Sequence, residues 1–229
     1  MKRIGLLGGM SWESSALYYS LINEQVRERM GGLHSASCIM SSVDFADIER
    51  LQHQGDWAGA GELLATEARR LESAGAELLL LCTNTMHKVA GAIESAVSIP
   101  FLHLADVTAK AVLASGINTV GLLGTRFTME ESFYTERLAL HGLTIVTPDA
   151  EDRALVNAVI YDELVLGRIL TGSRNRYQAI INRLGQKGAQ GIILGCTEIE
   201  LLIRPKDTPL PLFATTSLHA KAAVAAAMT

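Results

Sequence analysis

Short apolar runs alternate along the chain with longer stretches in which apolar residues recur at helical spacing. Strands buried on both faces between amphipathic helices give this pattern, so it predicts an α/β protein with mostly parallel sheets. The first unit reads as a strand and turn over 3–9, then a helix over 11–29 ended by Gly31 and Gly32. A second strand is expected over 36–43, followed by polar turn material. A helix over 60–74 stops at Gly75, and a buried strand over 77–81 ends at Cys82. Pro100 bounds another short strand over 101–104.

The pattern then starts again. Val120-Gly121-Leu122-Leu123-Gly124-Thr125 repeats Ile4-Gly5-Leu6-Leu7-Gly8-Gly9, and the run from Gly188 to Glu198 repeats the run from Gly75 to Asn84. The offsets agree to within two residues: Gly121 lies 116 positions after Gly5, and Cys196 lies 114 after Cys82. The expected fold is two pseudo-symmetric α/β domains, each a mostly parallel sheet flanked by helices, with an active site in the cleft between them. Residues 1–104 with the returning segment 209–229 make the first domain, and 105–208 the second. A last strand is expected at 212–214 and a final helix over 217–228, packing back on the first half.

Composition narrows the function. With 48% hydrophobic and 19% charged residues the chain is neither disordered nor fibrous. A net charge of -4, without basic runs interleaved with aromatics, argues against nucleic acid as a partner. The apolar run at the start breaks at Gly8 and Gly9, too early for a secretory core, and the run 78–82 has the length of a strand rather than of a membrane span. A cytoplasmic protein with no membrane partner is expected. Three cysteines, Cys38, Cys82 and Cys196, are too few and too far apart for a disulfide framework, which leaves reduced thiols.

Ligands of open parallel sheets sit beyond the carboxyl ends of the strands, where both repeated cysteines fall. Thr83-Asn84-Thr85 follows Cys82 and Thr197-Glu198 follows Cys196, small polar residues suited to holding a carboxylate. Two similar thiols on opposite walls of a cleft suit proton removal from one face of a substrate and return on the other. Helix amides that lower a thiol towards neutrality would leave one cysteine as thiolate and the other as thiol. The alternative is a pair of buried strand-end cysteines.

The remaining motifs divide similarly. Gly5, Gly8 and Gly9 do not form the dinucleotide fingerprint, so Gly8, Gly9, Met10 and Ser11 read as a tight loop approaching a small ligand. Thr125 in the equivalent loop is the preferred carboxylate contact there, with Arg126 a solvent-facing alternative. His87, five residues past Cys82, suggests a Cys-His pair, but the second half has no counterpart, which favours a capping or supporting role. The spacings supply no metal site. Asp44, Asp47, Glu49, Arg50 and Gln52 follow the second strand, where they either set side-chain specificity or line a solvated turn. Glu198 either holds an ammonium group, orients a general base or favours the next helix.

Gly-Gly-Met-Ser at 8–11, Cys-Thr-Asn-Thr-Met-His at 82–87 and Gly-Cys-Thr-Glu at 195–198 resemble the aspartate/glutamate racemase family along essentially the whole chain. The resemblance implies a cofactor-independent amino-acid racemase, dimeric, with Cys82 and Cys196 as the acid/base pair. It also implies that Asn84, Thr85, Thr125 and Thr197 contact the substrate carboxylate; the loop and strand-end readings above add Met10, Gln52, Thr83 and Glu198 to the expected site. The aspartate-specific branch carries an arginine after the second strand and a lysine further on; here the nearest positions are 48–50 and Leu166. That difference directs the expectation to aspartate, glutamate or a broader set of amino acids. The rivals are a decarboxylase or cis-trans isomerase of a small dicarboxylic acid, and a non-catalytic small-ligand binding protein.

Overall fold

The computed structural model describes residues 1–229. The chain runs β1 (Ile4–Gly8), α1 (Trp12–Met30), β2 (Cys38–Ser42), α2 (Phe45–Gln54), α3 (Trp57–Ser73), β3 (Leu78–Leu81), α4 (Ala90–Ala96) and α5 (Leu104–Ala114). It continues β4 (Thr119–Gly124), α6 (Arg126–Glu130), α7 (Ser132–Ala139), β5 (Thr144–Val146), α8 (Ala150–Asp162), α9 (Thr171–Gln186), β6 (Gly191–Gly195), α10 (Ile199–Leu202), β7 (Leu212–Ala214) and α11 (Thr215–Ala227). No helix is long and apolar enough to cross a membrane.

The chain divides into two compact units, Met1–Leu104 with His219–Thr229, and Ala105–Leu218. In the first, the strand order is β2-β1-β3, all parallel, with Ile4 facing both Cys38 and Leu78. In the second it is β5-β4-β6-β7, also parallel, with Val120 facing Ile145 and Gly191. The duplicated sequence patterns therefore fold to the same local topology, β1 matching β4 and β3 matching β6.

Strands β1 and β3 of the first unit are wholly buried, as continuous apolar runs require. On one face Leu7, Leu79 and Leu81 pack with Leu64, Ala68 and Leu71 of α3. On the other, Ile4, Leu6, Leu78 and Leu80 pack with Tyr18, Ile22 and Val26 of α1 and Ala220, Ala223 and Val224 of α11. Each such leucine contributes about 1.5–3 kcal/mol through burial. In the second unit Leu123, Ile192 and Leu194 pack with Val156, Ile160, Tyr177 and Ile181 of α8 and α9.

Three expectations need correction. The polar stretch after Val43 is not a turn but α2, capped by the Asp44 side chain accepting from Ala46 N–H. Ile48 of that helix is buried and Leu51 packs half-buried on the same core, so Phe45, Ile48 and Leu51 at helical spacing behind the Asp44 cap are the helix signal in a stretch that is otherwise polar. The strand expected at 101–104 reduces to one parallel bridge between Leu79 and Phe101, because Leu104 already begins α5. Residues 209–218 belong with the second unit: β7 takes the open edge of β6, and the Thr215 hydroxyl donates to Leu194 O at 2.9 Å. The first unit regains the chain at His219.

Candidate active site

In the first unit the loop after β1 is closed by two glycines. Gly9 has φ +98°, and a Cβ there would meet Val43 O at 2.2 Å; at Gly8 it would meet Ser15 Oγ at 2.5 Å. These glycines allow the loop to pack against β2 and α1, the close approach being to protein backbone and Ser15. Met10, expected at a ligand, packs its side chain in the core with Leu7, Ile48 and Leu81. Ser11 caps α1 by accepting from Ser14 N–H.

Cys82 lies immediately past β3. Its N–H donates to Leu7 O at 2.9 Å and its carbonyl accepts from Ser14 Oγ at 3.2 Å, which fixes the backbone beneath the thiol. The side chain is fully buried beside Leu80 and Tyr18, and burial pushes the thiol up. Asn84 and Thr85 are buried after it, while Thr83 is half-buried. The Thr83 carbonyl accepts from His87 Nδ1 at 2.7 Å, and His87 Nε2 accepts from Leu104 N–H at 3.2 Å. One nitrogen donating and one accepting defines a neutral ring. Burial, then the neighbouring His103 and His219, hold its pKa well below the ordinary histidine value. His87 thus clamps the Cys82 loop, the supporting role expected of it.

Residues of α2 divide on the same basis. Gln52 Nε2 lies 2.9 Å from Met86 Sδ, placing Gln52 against the turn that follows Asn84. Arg50 pairs with Asp47 at 3.1 Å in water, an exposed i,i+3 pair worth a few tenths of a kcal/mol.

In the second unit Thr125 caps α6, its hydroxyl accepting from Thr128 N–H at 3.4 Å, with Thr128 Oγ1 at 3.2 Å. Arg126 donates its backbone N–H to Asn157 Oδ1 at 2.8 Å. Cys196 follows β6 as Cys82 follows β3. Its Sγ donates to Glu198 Oε2 at 2.8 Å. Burial and then the Glu198 charge hold this thiol well above its ordinary value. Thr197 Oγ1 lies 3.0 Å from Thr216 Oγ1.

The expected resting pair of one thiolate and one thiol is therefore corrected: both groups rest protonated, because burial outweighs any help from nearby amides. Cys196 has its proton acceptor built in. Glu200, Thr216 and Ser217 were not anticipated beside it; the signal available was the hydroxyl run Thr215-Thr216-Ser217 directly after a strand. No group of three or more His, Cys, Asp or Glu side chains is placed to hold a metal ion.

Two parallel α/β units of like topology, each with a thiol just past the end of the strand that pairs with its first strand, define a duplicated α/β protein. Residues 7–223 match the family described as Asp/Glu/Hydantoin racemase, and the chain belongs to that family. It is similar to a Yersinia pestis protein of known structure described as a candidate Asp/Glu racemase, with 52% identity, 100% of both chains covered and a TM-score of 0.96. An aspartate racemase homologue from Pyrococcus horikoshii OT3 is 32% identical, again over 100% of both chains, with a TM-score of 0.90. The broad specificity amino-acid racemase RacX of Bacillus subtilis (strain 168) is 26% identical over 157 residues, 69% of this chain and 67% of that protein. The protein is an isomerase of the racemase class.

Proposed function

We propose that the chain is a cofactor-independent racemase of aspartate, glutamate or a broader set of amino acids, with Cys82 and Cys196 as its two bases. The observation that carries this is the duplication: each unit presents the same Cys-Thr pair at the same position after its matching strand. The names of the similar proteins, aspartate racemase homologue and broad specificity amino-acid racemase, support the substrate class.

In the proposed reaction one thiolate takes the Cα proton and becomes a thiol. The electron pair left on Cα moves into the substrate carboxylate, where hydroxyls and amides stabilise the charge. The opposite thiol delivers its proton to the other face and becomes the thiolate, so the pair ends with its roles exchanged. The opposite enantiomer runs the sequence in reverse. Since both thiols rest protonated, a turnover begins with ionisation of one of them. Glu198 supplies that step at Cys196 by accepting the Sγ proton across the 2.8 Å hydrogen bond. The substrate-binding set comprises Asn84, Thr85, Thr125 and Thr197 at the carboxylate, with Gln52, Thr83 and Glu198 around it, Met10 backing the loop from the core.

Proton NMR in deuterated water tests this, with reductant present and separate L and D forms of aspartate, glutamate and neutral amino acids. Loss of the Cα-proton signal with inversion is the expected result. Cys82→Ala and Cys196→Ala each abolish inversion while the circular dichroism spectrum is kept. Full inversion by either variant overturns the two-base scheme, and release of carbon dioxide from a malonate-type acid without Cα exchange would favour a decarboxylase.

A further inference from the structure

Apart from the terminal Met1, every large apolar side chain that the first unit exposes lies between Trp12 and Phe45: Trp12, Tyr19, Met30, Leu33, Met40 and Phe45. Trp12 is 67% exposed and Leu33 wholly so. From Phe45 to Leu104 no large apolar side chain reaches solvent to that degree. Single exposed apolar residues need no explanation, whereas a concentration of them on one stretch of surface marks an interaction site.

Helix α1 organises this surface. Tyr18, Ile22 and Val26 face the core, while Trp12, Ala16, Tyr19, Asn23, Arg27 and Met30 recur every three or four residues and share an outer flank. Asn23 locks the following loop to that flank, its Nδ2 donating to Tyr19 O at 2.8 Å and its Oδ1 accepting from Ala36 N–H at 2.9 Å. Tyr19, Asn23, Arg27, Leu33 and His34 line a cleft of about 520 Å³ there. A surface fixed in this way loses little conformational freedom on association.

The charges of α1 are sorted by sign along its length. Glu13 stands in the first turn, Arg27 and Arg29 in the last. None of these three has an ion-pair partner within the chain, whereas Glu24 accepts from Ser20 Oγ at 3.0 Å and Glu28 from Gln25 Nε2 at 3.1 Å. A second α1 laid antiparallel about a point midway between Tyr19 and Asn23 sets residue 13 opposite 29, 12 opposite 30 and 19 opposite 23. Carboxylate then meets guanidinium, and indole meets thioether, at both ends of the contact. A parallel arrangement sets Glu13 against Glu13 and arginine against arginine. The stripe is therefore self-complementary about a twofold axis, the symmetry that closes an assembly at two copies.

We propose that the outer flank of α1, with Leu33, is the contact surface of a symmetric dimer of this chain, in which two α1 helices pack antiparallel with Trp12 against Met30 and Glu13 against Arg29 of the second copy. At 19 residues the helix runs about 28 Å, long enough to seat both ends of the stripe at once. Such assembly is independent of the chemistry at Cys82 and Cys196, so loss of either reading leaves the other standing.

Sedimentation velocity on the full chain, from nanomolar to high micromolar concentration, tests this. Wild type is expected at twice the chain mass, with a dissociation constant that rises with salt. Tyr19→Glu puts a carboxylate in the middle of the stripe and weakens the dimer by about tenfold or more. Glu13→Arg and Arg29→Glu each turn two attractive contacts repulsive and weaken it by up to about tenfold. The double variant Glu13→Arg/Arg29→Glu restores the attraction and brings the dissociation constant back near the wild-type value. All three positions are exposed, so the circular dichroism spectrum is kept. In a Trp57→Phe background the emission of Trp12 moves to shorter wavelength as the dimer forms, because the indole leaves water. A chain that stays monomeric at every concentration, single charge variants that the double variant does not rescue, or Trp12 emission that ignores association overturns this dimer. So does a dimer that Tyr19→Glu leaves intact, whether it yields to Met40→Lys at the open edge of β2 or to Leu166→Lys in the second unit.

Discussion

The Cys196 proton already points at Glu198 Oε2, so the two residues form a donor-acceptor pair before any substrate arrives. Glu198 has two opposed effects on the thiol. Its charge raises the thiol pKa, and its carboxylate gives the departing proton somewhere to go. Glu198→Gln separates them by removing the charge and the base while keeping an amide of similar size. A positioned base contributes about 10²–10⁴-fold, so racemisation at neutral pH is expected to fall within that range. The loss shrinks as pH rises, because hydroxide then ionises the thiol and the missing base matters less. Initial rates by polarimetry across the pH range check this, and a variant with unchanged neutral-pH rate would rule out Glu198 as the proton acceptor. The Cys-Thr-Glu spacing made Glu198 visible in the sequence. Glu200 was not, because a glutamate followed by two leucines carries no sign that Thr216 and Ser217 will fold against it.

At the scale of elements, the N-terminal part of α11 within the first unit is held by a buried histidine. His219 Nε2 donates to Leu102 O at 2.7 Å and its Nδ1 accepts from Tyr18 O–H at 2.9 Å, so the neutral ring has both nitrogens satisfied. Burial depresses its pKa to about 4. An unfolded histidine titrates near 6.5, so between these values the unfolded chain binds a proton that the folded chain refuses. Stability is therefore complete above about 6.5 and is lost as pH falls towards 4, by roughly 3 kcal/mol for His219 alone. His87 is shifted in the same direction and adds to the loss. Urea titrations at neutral pH and near pH 5 should show this fall. His219→Gln, which keeps a donor and an acceptor but does not titrate, should show a smaller one; equal falls in both proteins would contradict the assignment. Sequence pattern served the elements unevenly. Strands of consecutive leucines and helices ended by glycine were legible because burial and backbone conformation leave local marks. In the helix α2 the Phe45, Ile48 and Leu51 spacing is spread among Asp, Glu, Arg and Gln over only ten residues, so polar composition masked it, and Phe101 forms only a single bridge where a strand was expected.

For the whole molecule, the internal repeat conveyed more than any one element, because two copies with matching offsets imply two similar cores. It conveyed less about where the chain returns, since an apolar triplet such as Leu212–Ala214 fits the edge of either sheet by composition. Backbone pairing decides the matter: β7 bonds to β6, and only from His219 onward does the chain rejoin the core that holds Leu80. We propose that these two groupings open as separate cooperative units, as proteins commonly do below global unfolding. Leu194 packs with Ile192 and Tyr177 in one core, and Leu80 packs with Ile22, Ala223 and Val224 in another. Truncating a buried leucine to alanine costs about 2–5 kcal/mol. Native-state hydrogen exchange should therefore show Leu194→Ala accelerating the amides of β4, β6 and β7, and Leu80→Ala accelerating those of β1, β3 and α11 beyond His219. Amides of β7 that follow Leu80→Ala instead would return residues 209–218 to the first unit, and equal acceleration of all these strands by both substitutions would mean that the chain opens as a single unit.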